Sequence, residues 1–346
     1  MKILILTQKV DRNDDILGFF HQWIIAFANT YEHVTVLCLE KGEYDLPQTV
    51  TIHSLGKERN SFFKRSRYVL NFYRFLWRTR HDYDAVFIHM NPEYVVLGGL
   101  LWRVWGKRVA LWYNHKEGGI FARFGAFFAH HIFYTSPYAF MARFKKARKM
   151  SAGIDTTRKS DFGEGVRSQT SDILSLGRIS PVKHIEVIIE ALKKLHEKGI
   201  VFTANIYGNP TSRDTLYYQD IKNKARALLK KGLLFFHSAI PNHETPAIFS
   251  AHRVFVNATP SGSLDKTILE AVYHGALPVV CNESFRGFLT DEFFFIEGDS
   301  VDLAEKLAYA LTLSLEEREA LGRRLQEKVK KEHSLEKLIK EITAIL

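Results

Sequence analysis

Apolar and polar residues alternate in blocks along the first half of the chain, in a way that predicts buried strands separated by helices. Short apolar runs bounded by polar residues are typical of parallel strands that are buried on both faces. The predicted strands are residues 3–6, 34–39, 50–55, 85–89, 109–113 and 132–135. Several of the intervals between them are long enough for a crossover helix. The pattern therefore predicts a parallel sheet covered by helices on both faces.

The second half repeats this order of elements after residues 156–171, a stretch rich in Thr, Ser, Gly and charge that is typical of an interdomain linker. Its predicted strands begin at Ile173 and continue at residues 202–207, 233–236, 254–256 and 277–281. The predicted fold class is α/β with two doubly wound parallel sheets. We predict an N-terminal Rossmann-like domain over residues 1–157, a linker over 158–170 and a C-terminal domain over 171–346. The last helix is expected to pack on either domain.

Length and composition fit two globular domains in a reducing compartment. The chain has 346 residues, of which 46% are hydrophobic, enough to build two cores. Its two cysteines, Cys38 and Cys281, lie in separate strand-like runs, which is typical of buried thiols and not of a disulfide framework or a metal site. Met1 leads straight into a strand and no run of about 18 apolar residues occurs. We therefore expect a cytoplasmic protein without a signal peptide or a membrane-spanning helix.

Positive charge is concentrated in the first half of the chain. The net charge is +10, and residues 1–157 hold 22 Lys and Arg against 13 Asp and Glu. Residues 57–80 alone carry eight bases, one acid and seven aromatic residues, with an apolar stripe formed by Val69, Phe72, Tyr73 and Leu76. This segment is typical of a helix on an anionic membrane surface, here the inner face of the cytoplasmic membrane, and also of a crossover helix packed on the sheet with solvated arginines. Nucleic acid is a weaker explanation, because no nucleic-acid-binding motif is present.

Residues 253–281 predict a strand, a loop, a helix and a second strand. Ser263 and Asp265 are both suited to cap the helix, Gly275 is suited to end it, and Pro278 is suited to open the next strand. Backbone N–H groups and the helix dipole make the loop before such a helix an anion-binding site.

Two charged residues in this helix favour the prediction that an anionic ligand binds there. Lys266 lies in the first turn, where a cation opposes the dipole unless an anion joins it. Glu270 lies one turn later and is placed to accept hydrogen bonds from a pair of sugar hydroxyls. The alternative is a solvated lysine and a glutamate that compensates the helix end.

A second predicted helix N terminus also has cations beside it. Ser180 is a suitable N-cap and Pro181 a suitable first helical residue. Arg178 and Lys183 flank this terminus, where the dipole alone disfavours cations, and a diphosphate between them resolves the conflict. Gly208 ends its own strand at the same edge of the sheet, where ligands bind in parallel α/β domains.

The first half offers two weaker candidates. Gly18 follows a polar segment after the first strand and would let the backbone approach a ligand, although an ordinary turn explains it as well. His115 lies at the carboxyl end of the strand at residues 109–113 and is followed by Gly118 and Gly119, in the position where catalytic groups are found. A structural or solvated histidine is the alternative.

These motifs together resemble a known enzyme family. The pair Gly177-Arg178 with Lys183 resembles the Gly-Arg…Lys motif of retaining GT-B glycosyltransferases of the family 4 group, also called glycosyl transferases group 1. The stretch from Pro260-Ser261 through Glu270-Ala271 to Pro278-Val279-Val280 resembles the Glu-x7-Glu region of that family. Gly153-Ile154-Asp155 is similar to the segment that leaves its N-terminal domain, and the resemblance covers nearly the whole chain.

The resemblance implies a GT-B fold, with two Rossmann-like domains facing across a cleft, and transfer of a sugar from a nucleotide-diphosphate sugar, such as a UDP- or GDP-sugar, with retention of configuration. It implies no metal and no other cofactor, and an acceptor that is a glycan or a lipid-linked glycan. Arg178 and Lys183 would hold the diphosphate, and Glu270 would bind the ribose. His115 would lie near the donor sugar and the acceptor. The implied catalytic residues are therefore His115, Arg178 and Lys183. The residues implied to bind the nucleotide sugar are Gly18, Gly177, Gly208, Ser263, Asp265, Lys266, Thr267 and Glu270.

Two positions depart from the family pattern. Gly262 stands where the first Glu of the Glu-x7-Glu region is expected, with Asp265 as the nearest replacement, and a second glycine is missing beside Gly18. The first departure leaves the sugar open and admits an inactive member, and two alternatives to a glycosyltransferase therefore remain. One is a nucleotide-sugar 2-epimerase of the same fold, and the other is a GT-B pseudoenzyme that binds nucleotide as a scaffold.

Overall fold

The computed structural model describes residues 1–58, 64–157 and 170–346, which form two compact units. One unit consists of Met1–Gly153 with Leu335–Leu346, and the other of Ile154–Ser334. The predicted linker over residues 158–170 lies outside the described residues except for its last position, and residues 59–63 of the basic segment also lie outside them.

The first unit contains a sheet of seven parallel strands in the order β3-β2-β1-β4-β5-β6-β7. The strands are β1 Lys2–Val10, β2 His33–Lys41, β3 Val50–Ser54, β4 Ala85–His89, β5 Arg108–Trp112, β6 His131–Tyr134 and β7 Ala147–Lys149. The chain starts in the middle of the sheet, moves to one edge and returns to the other side of β1 at β4. The carboxyl ends of β1 and β4 therefore flank the topological switch point, where open α/β sheets bind ligands.

Helices cover both faces of this sheet. They are α1 Phe19–Ala28, α2 Lys64–Thr79, α3 Pro92–Val104 and α4 Ile120–Phe128, and the C-terminal α12 Leu335–Thr343. On one face Trp23 and Phe27 of α1 share a core with Leu338 and Ile342 of α12. The last helix of the chain thus packs on the first unit. On the other face the core is formed by α2, α3 and α4.

Two of the four residues in the apolar stripe of α2 pack on the sheet. Phe72 and Leu76 are fully buried in the core, whereas Val69 and Tyr73 are partly exposed. The membrane interpretation required all four side chains to face outward, so it is wrong for Phe72 and Leu76. The crossover-helix alternative describes these two residues correctly, because they fill the space between α2 and the strands.

The second unit contains five parallel strands in the order β10-β9-β8-β11-β12. They are β8 Ser171–Leu176, β9 Ala204–Tyr207, β10 Leu234–His237, β11 His252–Asn257 and β12 Leu277–Val280. Its helices are α5 Ile185–Glu197, α6 Thr215–Lys224, α7 Arg226–Lys230, α8 Thr245–Ser250, α9 Lys266–Tyr273, α10 Ser300–Thr312 and α11 Leu315–His333. The switch point lies between β8 and β11, so the loops that follow these two strands meet at one edge of the sheet.

The prediction of two parallel α/β sheets is confirmed, and the differences are local. The strand β7 is missing from the prediction, because its three residues carry two bases and no apolar run. The predicted start of α5 at Pro181 is wrong. Residues Pro181–Lys183 form a separate 3-10 turn, His184 takes the left-handed conformation with φ of 46°, and the helix begins at Ile185. Ser180 makes no capping hydrogen bond. Within the described ranges, no helix is both long enough and apolar enough to cross a membrane.

Candidate active site

The loops after β8 and β9 lie against each other at the carboxyl edge of the second sheet. Gly177 donates its N–H to the Tyr207 carbonyl at 3.0 Å, and Gly208 has φ of +156°. A β-carbon on Gly208 would lie only 2.0 Å from the carbonyl oxygen of Gly177. No side chain fits there, because the contact is with backbone that cannot move aside. The close approach fixes where the loop that carries Arg178 leaves the sheet.

Lys183 and Asp265 form an ion pair between the loops that follow β8 and β11. Lys183 Nζ lies 2.6 Å from Asp265 Oδ2, and the two side chains keep 22% and 13% of their surface exposed. From its place beside a predicted helix N terminus, Lys183 is expected to need an external anion. The structure corrects this, because Asp265 already balances the charge of Lys183.

Asp265 also caps α9, as one of the two predicted capping residues. Its Oδ1 accepts hydrogen bonds from the backbone N–H of Thr267 at 3.2 Å and from the Thr267 hydroxyl at 2.7 Å. Its Oδ2 accepts a third from Asn257 Nδ2 at 3.0 Å. Burial alone would raise the pKa of Asp265, but the Lys183 ammonium and these hydrogen bonds outweigh it and hold the pKa well below its usual range. The carboxylate is therefore charged at neutral pH and engaged by the protein itself.

Ser263, the other predicted cap, has a different role. Its carbonyl accepts a hydrogen bond from Asn282 Nδ2 at 3.0 Å, and the residue is exposed. Ser261 Oγ accepts one from the Glu283 N–H at 2.9 Å. The loop around the buried Gly262 is thus anchored to the segment after β12. At its other end α9 stops at Tyr273 as predicted, and Gly275 follows with φ of +97°.

Lys266 and Glu270 lie together in the first turns of α9. The Nζ atom of Lys266 is buried, which excludes the solvated-lysine alternative. Burial lowers the pKa of Lys266, and the Glu270 carboxylate opposes that shift. Glu270 itself is partly exposed. The pair places a titratable cation and a carboxylate acceptor directly beside the N terminus of α9.

Arg178 is exposed and borders two concave regions of the second unit. One is a small cavity that it shares with Gly177, Lys183, Asn257 and Thr259. The other is a hollow of about 520 Å³, whose wall also contains residues of the loop before α6. Besides Arg178, the hollow is lined by Ser180, Pro181 and Val182 of the segment after β8, and by Thr211, Ser212, Arg213 and Asp214 of the loop before α6. A guanidinium at the junction of the two is placed to bind an anion such as a phosphate.

The first unit carries the two remaining predicted residues. His115 follows β5, and part of its surface is exposed while its ring makes an edge contact with Tyr113 at 5.2 Å. The partial burial lowers its pKa from the ordinary value, which favours the neutral imidazole. Gly18 precedes α1, is buried and has the right-handed conformation with φ of −56°. Nothing in that conformation requires glycine. The buried His89 and the left-handed Met90, with φ of 64°, lie at the carboxyl end of β4 beside the switch point of this sheet.

Three polar residues of the second-unit site were missed by sequence reasoning. Asn257 binds Asp265, Thr259 N–H donates to Asn257 Oδ1 at 3.0 Å, and Arg213 lines the larger hollow. The available signal for Asn257 and Thr259 was their place directly after a buried strand. In the described part of the chain, no group of three or more His, Cys, Asp and Glu residues could hold a metal ion.

The sequence of this chain is similar to a known protein family and to a curated relative. A sequence model of the family described as "Glycosyl transferases group 1" matches residues 156–328, which is half of the chain. A curated relative, the putative colanic acid biosynthesis glycosyltransferase WcaL of Escherichia coli (strain K12), is 23% identical over 214 residues, covering 56% of this chain and 49% of the relative. The chain therefore spans about half the length of the curated relative that it matches.

Solved structures match over the whole chain at low identity. Anabaena Alr3699/HepE in complex with UDP-glucose is 16% identical, with a TM-score of 0.74 and complete coverage of both chains. Sucrose-phosphate synthase from Thermosynechococcus elongatus is 14% identical, with a TM-score of 0.77 and coverage of 99% of this chain and 98% of the other. The lipopolysaccharide glycosyltransferase WaaG is 15% identical, with a TM-score of 0.65 and coverage of 99% of each chain. At these identities the likeness shows the fold, which is that of GT-B glycosyltransferases.

Proposed function

The chain belongs to the glycosyl transferases group 1 family, and from this premise we propose that it transfers a sugar from a nucleoside diphosphate sugar to an acceptor hydroxyl with retention of the anomeric configuration. Within that family we propose that it belongs to the family 4 group, that the donor sugar is a hexose and that no metal takes part. The second unit binds the nucleotide sugar and the first unit receives the acceptor.

The observation that carries the proposal is the convergence of two anion-binding loops at one switch point. Gly177-Arg178 and Lys183 follow β8, and the N terminus of α9 follows β11. The ion pair between Lys183 and Asp265 joins the two loops. Backbone N–H groups at a helix N terminus, an ammonium and a guanidinium on two adjoining loops are suited to a diphosphate.

Each of these groups has a distinct role in the proposed reaction. Arg178 binds the diphosphate through its guanidinium and stabilises the negative charge that develops as the sugar–phosphate bond breaks. A single donor of this kind is worth roughly 10²–10³ in rate. Lys183 has three N–H donors, one of which Asp265 accepts, so the ion pair aims the ammonium at the phosphate. Glu270 accepts hydrogen bonds from the ribose hydroxyls, and the phosphate raises the pKa of Lys266 as it binds.

A UDP-hexose is the donor that we propose first. The support is that the structures of Anabaena HepE were obtained with UDP, with UDP and glucose, and with UDP-glucose. The acceptor is proposed to be a glycan or a lipid-linked glycan, which His115 meets on the first unit. The neutral imidazole is suited to bind a sugar hydroxyl as donor or acceptor. The protein would work in the cytoplasm, at the inner face of the cytoplasmic membrane.

A nucleotide-binding scaffold is the second candidate, and one observation favours it. Gly262 offers no side chain to the transferred sugar, and Asp265, the nearest acidic residue along the chain, is engaged by Lys183, Asn257 and Thr267. Asp265 therefore does not replace the missing glutamate. A scaffold would bind nucleotide through the same loops and would not turn it over.

The test combines binding with product analysis. UDP-, GDP-, ADP- and dTDP-hexoses are added to the wild type, to Arg178→Ala and to Arg226→Ala, which removes another exposed arginine of the same unit. A ligand at about 100 times its Kd adds roughly 2.7 kcal/mol of stability, so one nucleotide class should raise the Tm of the wild type and the control, and not of Arg178→Ala. Proton NMR of the product then gives the anomeric configuration.

Each other outcome has a defined meaning. A thermal shift without turnover on any glycan or lipid-linked acceptor supports the scaffold. Isomerisation of the donor without an acceptor identifies the epimerase alternative. The absence of a shift with all four nucleotide classes contradicts the proposed donor site.

A further inference from the structure

The helix α4 exposes an aromatic face that the proposed sugar-transfer reaction does not use. Its outer residues Ile120, Phe121, Phe124 and Phe127 keep 65%, 50%, 50% and 69% of their surface exposed. Its inner residues Ala122, Gly125 and Ala126 are buried. An ordinary surface helix has the opposite distribution, with small or polar residues outside and large apolar residues in the core.

The neighbouring helix α3 extends this face. Leu100 and Val104 are 63% and 75% exposed. The two helices pack closely, because a β-carbon on Gly99 would lie 2.7 Å from Phe128 and one on Gly125 would lie 2.9 Å from Pro92. We call the exposed set the α3–α4 apolar face; it consists of Leu100, Val104, Ile120, Phe121, Phe124 and Phe127.

The arginine of α3 holds the end of α4 in place. Arg103 donates hydrogen bonds to the carbonyl oxygens of Phe127 and Phe128, at 3.1 and 3.0 Å. These are orphan carbonyls of the last turn of α4, which a basic side chain caps. The aromatic face is therefore carried by a fixed helix and not by a frayed one.

Strong positive charge accompanies the apolar face. Residues 101–149 contain ten Lys and Arg and a single acid, Glu117. Arg123 lies on α4 itself and is exposed. Exposed aromatic rings next to an excess of bases are suited to an anionic lipid surface, where the rings enter the headgroup region and the bases meet lipid phosphates. A second copy of this chain would bring the same excess of bases to the contact, with only Glu117 in residues 101–149 to offset it.

We propose that the α3–α4 apolar face is the surface by which this protein binds an anionic lipid bilayer. The inference builds on the proposed function, because α4 begins directly after the loop that carries His115. Insertion of α4 would bring that loop to the bilayer, where a lipid-linked acceptor is presented. It also replaces α2 as the membrane element, since half of the α2 stripe lies in the core.

Vesicle sedimentation tests the proposal without any use of enzymatic activity. The full chain is mixed with vesicles of equal parts phosphatidylglycerol and phosphatidylcholine, or of phosphatidylcholine alone. The wild type should sediment with the anionic vesicles at low salt, less at about 0.5 M salt, and not with the neutral ones. Phe124→Ser/Phe127→Ser should weaken binding about tenfold or more. The control Leu70→Ser/Trp77→Ser, which removes two exposed residues of α2, should bind as the wild type does.

A label reports which helix meets the lipid. Cys38 and Cys281 are both buried, so an environment-sensitive fluorophore reacts selectively at Phe127→Cys, or at Val201→Cys on the second unit as a control. Only the label at position 127 should shift its emission to the blue on addition of anionic vesicles.

Three results would overturn the proposal: no sedimentation of the wild type, equal binding by the α4 double variant, or a blue shift only at position 201. A dimer that the α4 double variant abolishes, seen by analytical ultracentrifugation without vesicle binding, would assign the face to a second copy instead. Thermal shifts with nucleotide sugars are measured on the same variants. A wild type that binds a nucleotide sugar but no vesicles would contradict this inference and leave the proposed function standing. Intact donor binding by Phe124→Ser/Phe127→Ser shows that the double variant is folded.

Discussion

The ammonium nitrogen of Lys183 lies 2.6 Å from the carboxylate of Asp265, a residue 82 positions further along the chain. Asp265 accepts hydrogen bonds from Asn257 and Thr267 with the same carboxylate. One side chain thus neutralises the cation after β8, starts α9 and joins the loops after β8 and β11. A diphosphate that enters this site meets a positioned ion pair and not a lone charge.

Asp265→Asn should destabilise the second unit and weaken donor binding. The substitution leaves Lys183 without its counter-charge and removes the negative charge at the N terminus of α9, where the helix dipole favours it. We expect a loss of about 2–3 kcal/mol in the free energy of unfolding, less than for a fully buried pair because Lys183 keeps some exposure. Urea denaturation at pH 7 measures it. The exposed ion pair Lys224–Asp220 supplies the control, and Asp220→Asn should cost less than about 0.5 kcal/mol.

The contribution of Asp265 should also depend on pH in a defined direction. Its pKa in the folded protein lies below that in the unfolded chain, so its stabilisation is fully present above the unfolded pKa, about 4. It is lost as the pH falls from there through the lower folded pKa. The stability difference between the wild type and Asp265→Asn should therefore shrink between pH 5 and pH 3. A difference that stays constant over this range would contradict the assignment of the ion pair.

The positions of the strands along the chain could be predicted from the sequence because buried parallel strands are continuous apolar runs. Residues 85–89 were placed on a strand with the bounds that β4 has, and the other long strands differ by a few residues at their ends. The start of α5 could not be predicted, because only the backbone shows that His184 is left-handed. The stripe of α2 could not be assigned either, since a helical period does not say whether the apolar side faces a sheet or a membrane.

Only those features of the site that depend on the local sequence could be predicted. Arg178, Lys183 and Lys266 were recognised because each lies beside a predicted helix N terminus. The contact between Lys183 and Asp265 was not, because it depends on how β8 and β11 pair in the sheet. The same holds for the approach of Gly208 to Gly177, which depends on the neighbouring loops of β8 and β9.

Gly208→Ala should be strongly destabilising. The new β-carbon would meet the Gly177 carbonyl, so the loop of Arg178 must shift or the strand must separate. We expect a loss of more than about 2 kcal/mol, together with weaker donor binding. Gly199→Ala is the matched control, since its φ is +75° and no atom lies within 4 Å of the added carbon. It should cost only the left-handed strain, about 1 kcal/mol, and equal losses for the two variants would contradict the steric argument.

His184→Gly should be more stable than His184→Ala. Both variants lose the contact of His184 Nδ1 with Glu186 at 3.0 Å, so the comparison isolates the backbone. Glycine adopts the left-handed conformation at no steric cost, whereas alanine does not. The expected difference is about 1 kcal/mol in thermal or urea denaturation. If alanine is as stable as glycine, residue 184 is not left-handed in solution.

Glu270→Ala should weaken binding of UDP mainly through loss of the contact with the ribose. Loss of a charge-assisted acceptor costs about 1.5–3 kcal/mol, or roughly 10- to 150-fold in Kd. A UDP analogue that lacks both ribose hydroxyls separates this role from a general one. The wild type and the variant should bind the analogue with similar affinity. A variant that loses affinity for UDP and for the analogue equally would show that Glu270 acts on the helix and not on the ribose.

The central claim is that a nucleoside diphosphate binds at the carboxyl edge of the second sheet, against Arg178. The most direct test is calorimetric titration of UDP into the wild type, Arg178→Ala and Arg226→Ala. The account predicts that UDP binds the wild type and the Arg226 control alike, and binds Arg178→Ala about 10- to 100-fold more weakly. Equal affinity of UDP for all three proteins would contradict the proposed diphosphate site.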